Sequence, residues 1–281
     1  MDQHVEHDLL ERYKAYIAQL CLMDDAYFNV YFDDYKAGME CILRIILTLP
    51  ELVVDRVTTQ KTTGNLYGRG VRFDAFARAG KRLINTEVQR DDRGALPERA
   101  RFNSSMMDAR ELQIGEEVKA LPETYVIFIT EKDVLGKGLP IYHINRVIEE
   151  TGEEFGDRAH IIYVNGEIQD ETPLGRLMHD FFCQDATKMH YEALRKRASF
   201  FKNEEGGQAE MCKIMDEIRQ EGIDLGFDRG MECGMERGAE NKLLETLRTI
   251  MRKMRLSEEE ALAMLDVPQD RWQKYKALLE H

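Results

Sequence analysis

FDAFARAGKRLINTEVQR, residues 73–90, reads as two β-strands joined by a short turn, and each strand carries one carboxylate among apolar neighbours. Strand residues alternate faces, so Phe73 and Ala75 are expected on one side, Asp74 and Phe76 on the other, while Glu87 and Gln89 share a side. Pairing across an Ala79-Gly80 turn brings Asp74 within reach of Glu87, directly or diagonally depending on register. Two carboxylates held that close repel one another unless a cation lies between them or one takes up a proton. A hard divalent ion with oxygen ligands, Mg²⁺ or Mn²⁺, is the natural occupant. The competing account is a plain hairpin whose acids pair with Arg72, Arg82 or Arg90.

Before the hairpin, residues 26–49 space Phe28, Tyr31, Phe32, Tyr35, Met39, Ile42, Leu43 and Ile46 by mostly three and four, which predicts one helix with an apolar face. Asp24 or Asp25 can cap its start and Pro50 ends it. LVVDRVTTQ (52–60) predicts a strand, followed by a loop through Gly64, Gly68 and Gly70 that leads into the hairpin. A further helix is expected between Pro97 and Val118. TYVIFIT (124–130) is a short, unbroken apolar run rich in β-branched residues, the pattern of a central strand buried on both faces. LPIYHINRVI (139–148) and AHIIYVNG (159–166) predict strands, and PLGRLMHDFF (173–182) a helix. The order gives an α/β fold with a mixed sheet.

The 281 residues carry a net charge of −13, an unpromising total for a nucleic-acid binder. Distribution runs the other way: residues 69–101 hold eight Arg and Lys81 against five acids, a local balance of +4. Five cysteines, odd in number and without a CxxC pair, argue for reduced thiols, and the seven histidines show no metal-ligand spacing. No stretch approaches the roughly 18 apolar residues that span a membrane, so a cytoplasmic protein is expected.

From Tyr191 the composition turns to helix formers. Gly222, Gly226, Gly230, Gly234 and Gly238 recur every fourth residue, a slowly winding stripe that admits a second helix closely. Each glycine costs a helix about 1 kcal/mol relative to alanine. The segment is either a seam for homo-oligomers or a semi-flexible arm. LSEEEALAMLDVPQDRWQKYKALLE (256–280) predicts two short helices, the first opened by a Ser257–Glu260 capping box. The expected division is a main domain over 1–200, a helical arm over 201–240 and a small helical segment over 241–281.

The order helix, strand, strand with Asp, strand with Glu-x-Gln, helix, strand resembles the PD-(D/E)xK nuclease core. The phrases VRFDAFA, NTEVQRDDRG, ERARFNSSMMDA, LPETYVIFITEKDVLGKGLPIYHINRVIEETG and HIIYVNG are similar to the branch of PD-(D/E)xK nuclease family transposases, or recombination-promoting nucleases, over about residues 20–200. The resemblance implies a restriction-endonuclease-like core and a metal-dependent DNA endonuclease linked to recombination or transposition. It implies Asp74 and Glu87 as metal ligands, Val88 lending its backbone carbonyl, and Gln89 orienting water where many of the superfamily have lysine. Phe73 stands where the name has proline. Some superfamily members use an acid on the first helix, a role that would fall to Glu40. Arg90, Arg93, Arg99 and Arg101 follow the site and would hold the DNA backbone. The alternatives are a degenerate nuclease fold that binds nucleic acid or protein without cutting, and an interaction protein centred on the glycine arm.

Overall fold

A computed structural model describes residues 3–65, 68–90, 94–112 and 115–279. They form two compact units, residues 1–212 and 213–281. The first is built on a six-stranded mixed sheet of order β1-β2-β3-β4-β6-β5. Its strands are β1 (Arg56–Asn65), β2 (Gly68–Ala79), β3 (Arg82–Gln89), β4 (Glu123–Thr130), β5 (Ile141–Ile144) and β6 (Ala159–Asn165). β1, β2 and β3 are antiparallel neighbours, β4 lies parallel to both β3 and β6, and β5 closes the far edge antiparallel to β6.

β4 occupies the central position predicted for it, and its alternation separates two cores. Ile127 and Ile129 join one apolar cluster, Val126 and Phe128 the other. The first cluster is covered by α1 (Gln3–Gln19), α2 (Asp25–Phe32), α3 (Lys36–Ile46), α5 (Pro173–Phe182) and α6 (Glu192–Asn203), through residues such as Ile17, Phe28, Phe32, Ile42, Phe181 and Phe201. On the other face α4 (Pro97–Glu111) packs Ala100 and Met107 against Phe73, Leu83 and Phe128. Burying aromatic and aliphatic side chains of this kind contributes about 1.5–3 kcal/mol each, the main force holding helices to the sheet.

Three sequence expectations shift. The single helix over 26–49 is two helices, because Asp34 takes a left-handed backbone (φ 48°) between α2 and α3. The apolar spacing runs through the break, since both pieces face the same core. The glycine loop is strand: β1 continues to Asn65 and β2 starts at Gly68, drawn into pairing by Lys61↔Phe73, Thr62↔Arg72 and Thr63↔Val71. The hairpin turn is Gly80-Lys81, one residue later than expected, with Gly80 in the left-handed region (φ 57°) that a side chain rarely adopts.

α7 (Glu205–Met254) begins in the first unit and ends in the second. The second unit has its own core: Leu244 and Leu247 of α7 pack with Ala261 and Leu262 of α8 (Glu258–Met264) and Tyr275 of α9 (Trp272–Leu279). The Ser257–Glu260 capping box forms, and Trp272 Nε1 donates to the Val267 carbonyl at 2.7 Å, tying the two short helices together. Lys274 pairs with Glu240 and Lys276 with Glu259, so two of the unit's cations are spent internally.

Candidate active site

Pairing between β2 and β3 runs from Ala79↔Arg82 to Ala75↔Thr86 and stops. The next residues in register are Asp74 and Glu87, so both carboxylates stand where the two strands part. Asp74 Oδ2 accepts the Val88 N–H at 3.3 Å, taking with its side chain a donor the strand would otherwise offer to β2. Regular alternation also fails here. Phe73 and Phe76 lie on the same side with ring centroids 5.5 Å apart, not on opposite sides as strict period-two reading predicts. Across the β1 ladder, Gln60 between Thr59↔Ala75 and Lys61↔Phe73 has a left-handed backbone (φ 49°), which marks the local twist that breaks the period.

Asp74 is 7% exposed and Glu87 fully buried. Burial pushes the Asp74 carboxyl up to about 8, with the Glu87 charge and then the Asp25 charge adding to the effect. Burial likewise raises Glu87, against the opposing pull of Arg99 and of the Asn85 amide. The two acids therefore titrate as a pair, each disfavouring the other's charge.

Glu87 is held by three donors. Arg99 Nη2 reaches Oε2 at 2.5 Å, while Asn85 Nδ2 at 3.0 Å and Asn103 Nδ2 at 3.3 Å both reach Oε1. Asn85 lies two residues before Glu87 and shares its side of β3; Arg99 and Asn103 lie one turn apart on α4, so one helix face delivers both. The Oδ1 atoms of Asn85 and Asn103 are buried with no protein hydrogen-bond partner. Two carboxylates strained by burial and mutual repulsion, beside two unsatisfied amide oxygens, are donor chemistry that suits a hard divalent ion.

Gln89 ends β3, and Gly94 packs closely against its side chain. A Cβ placed on Gly94 would fall 1.6 Å from Gln89 Oε1, so only glycine lets the chain pass with the amide in this position. Sequence reading singled out Gln89 and missed its retainer.

The other predicted residues divide. Glu40 is engaged elsewhere: its carboxylate accepts the Val54 N–H at 3.0 Å and pairs with Arg44 at 3.1 Å, fastening α3 to the segment before β1. The acid from the first helices that acts on Asp74 is Asp25, at the start of α2. Arg90 is tied to Asp24 at 3.1 Å and Glu131 at 3.0 Å, and Arg99 to Glu87, so neither is the free phosphate contact expected of it. Arg101 is exposed and, among the described residues, makes no ion pair; Arg93 lies outside the described residues. With Arg78 paired to Glu111 and Arg82 to Glu123, much of the local +4 balance is met by acids distant in sequence. Val88, expected to lend its carbonyl, meets Asp74 through its N–H.

His179, Asp180 and His190 form a second cluster whose ligand atoms lie within 4.8 Å of one another. The Asp180 carboxylate is already taken by the His190 N–H at 2.7 Å and the Tyr191 N–H at 2.9 Å, bonds that anchor the chain entering α6. That is the work of a structural acid.

Among the described residues, no helix is long and apolar enough to cross a membrane. No curated protein and no solved structure matches the chain. Residues 55–171, which contain the Asp74–Glu87 hairpin, α4 and the strands β4 to β6, match the family model described as PD-(D/E)XK nuclease family transposase. This segment is narrower than the resemblance over 20–200, and the PD-(D/E)XK nuclease family transposases are what it is similar to.

Proposed function

We propose that the protein is a metal-dependent DNA endonuclease hydrolysing phosphodiester bonds in connection with recombination or transposition. The observation that carries this reading is the placement of Asp74 and Glu87 together at the point where β2 and β3 part, both buried and both disfavoured as free anions. Asp74 and Glu87 would hold Mg²⁺ or Mn²⁺, with the backbone at Val88 alongside and Asp25 adding negative charge. A divalent ion there supplies the charge that activates a water and offsets the anionic phosphate. Gln89, held by the close passage of Gly94, orients the attacking water through its amide. Arg101, which is exposed, and Arg93 bind the DNA backbone.

A second reading rests on the three donors around Glu87, which satisfy that carboxylate without any ion. In that case the fold binds nucleic acid without cutting. Cleavage of supercoiled plasmid with Mg²⁺, Mn²⁺ or EDTA, beside Asp74→Ala and Glu87→Ala, separates the two. Nicking that needs the divalent ion and falls by at least ~10³-fold in both variants supports the enzyme; folded wild-type protein that binds DNA without nicking supports the second reading.

Self-association is a further part of the proposal. Ile223, Phe227, Met231 and Met235 recur every fourth residue on α7 beside the glycines and are 50, 68, 47 and 63% exposed. A mass measurement by light scattering on wild type and Phe227→Asp tests it, with a drop to monomer expected in the variant.

A further inference from the structure

Arg99 has two claims on it. It extends from the first turn of α4, with its side chain 37% exposed, down to a fully buried carboxylate. Oε2 of Glu87 receives its guanidinium at 2.5 Å, while Oε1 is shared by the amides of Asn85 and Asn103. A cation ligated by Glu87 must share or take one of these positions. The amides are neutral and anchored in the core, with Asn85 and Asn103 at 0 and 1% exposure. The guanidinium carries a full positive charge, is repelled by an arriving cation, and has solvent to move into. It is the partner that yields.

We infer that Arg99 and a divalent cation exchange on Glu87, and that the released guanidinium turns outward to a DNA phosphate, so that cation loading and grip on DNA are linked through this one side chain. The inference rests on the metal-dependent reading above. An arginine suits both positions because its fork gives a charge-assisted bond to a carboxylate and a bidentate one to a phosphate, which a lysine cannot reproduce. Arg99 is thus a positioning residue for the cation. Linkage requires the effect to be reciprocal: DNA, by drawing the guanidinium away, tightens cation binding, and the cation tightens DNA binding.

The test is Mn²⁺ binding by titration calorimetry to the full chain, as wild type, Arg99→Gln, Arg99→Lys and Asp74→Ala. Each is measured alone and with a short duplex of hydrolysis-resistant phosphorothioate DNA, after a thermal melt establishes folding. The expected result is that Arg99→Gln binds Mn²⁺ about tenfold tighter than wild type without DNA, and that DNA then adds nothing further. Arg99→Lys is expected to fall between, and carries the comparison if Arg99→Gln does not fold. Unchanged or weaker Mn²⁺ affinity in a folded Arg99 variant, with binding still abolished by Asp74→Ala, overturns the exchange and leaves the metal site standing. Absence of Mn²⁺ binding in every protein overturns both.

Discussion

Asp74 and Asp180 are both sealed from solvent, at 7 and 0% exposure, and both come from segments dense in apolar residues. Their surroundings differ in one respect. Asp180, near the end of α5, accepts two backbone N–H groups at 2.7 and 2.9 Å, with the His179 ring 3.2 Å from Oδ1. Asp74 accepts one, at 3.3 Å, and faces a second carboxylate. A buried anion supplied with donors is part of the scaffold, because the donors replace the water it lost. One left short of donors beside another anion takes up a proton or a cation. Burial alone does not tell the two apart; the count and direction of donors do.

The difference can be broken first at Asp180. Asp180→Ala should cost about 2–4 kcal/mol, because it takes the acceptor from the part-buried N–H groups of His190 and Tyr191 just before α6. Since a chain of this size loses about 2–4 °C per kcal/mol, the melting temperature should fall by roughly 10 °C. A loss of only a degree or two would mean that Asp180 is no more structural than Asp74.

Asp74→Asn should act in the opposite direction. The folded protein holds the Asp74 proton up to about pH 8, far above the unfolded value near 4, so the contribution of this group is fully present below pH 4 and is lost as pH rises through 8. Asparagine keeps an oxygen for the Val88 N–H and removes the charge. In the absence of divalent ions the variant should therefore be the more stable protein at pH 8, by on the order of 3 kcal/mol, and should match wild type near pH 4. Paired thermal melts across that range check it; a variant less stable at pH 8 would place Asp74 with Asp180 among the structural acids.

Gly94→Ala sharpens the contrast at the smallest scale. The added methyl displaces only the far end of Gln89, a flexible side chain, so stability should change by less than about 1 kcal/mol. If Gln89 orients water, turnover should nevertheless fall by roughly 10–100-fold with DNA affinity unchanged. Equal turnover would remove Gln89 from the reaction.

Much of this was legible in local pattern. β4 shows as a central strand because unbroken TYVIFIT can be satisfied only between two cores, and α5 because Pro173 opens it and its apolar spacing closes at Phe182. The Ser257–Glu260 capping box needs only a four-residue window. Asp74 and Glu87 stood out as charges on half-apolar strands. What escaped depended on residues far apart in the chain or on backbone detail. The α2–α3 break turns on one left-handed residue, Asp34, with no proline or glycine to announce it. Asp25 and Glu40 look equally suited as helix acids; only packing sends Glu40 to Val54 and Arg44 and leaves Asp25 acting on Asp74. Asn85 and Asn103 had individual signals, the period of two before Glu87 and the one-turn step from Arg99, yet nothing local says that a strand and a helix bring both amides to one oxygen.

The α/β order, the central strand, the hairpin with its two acids and the likeness of residues 55–171 to the nuclease family were all legible along the chain, because each rests on neighbours within a few turns or on a run of matching phrases. Which partner each charge takes is set by the packing of distant segments. The sheet parts at Asp74, α4 lays Arg99 and Asn103 on Glu87, Arg90 is drawn to Asp24 and Glu131, and an excess of arginine that looked free for DNA is largely answered from elsewhere in the fold. Charge partners in a buried site are chosen by which side chains packing brings within about 4 Å, where pairing is strong, and that distance has no counterpart along the chain.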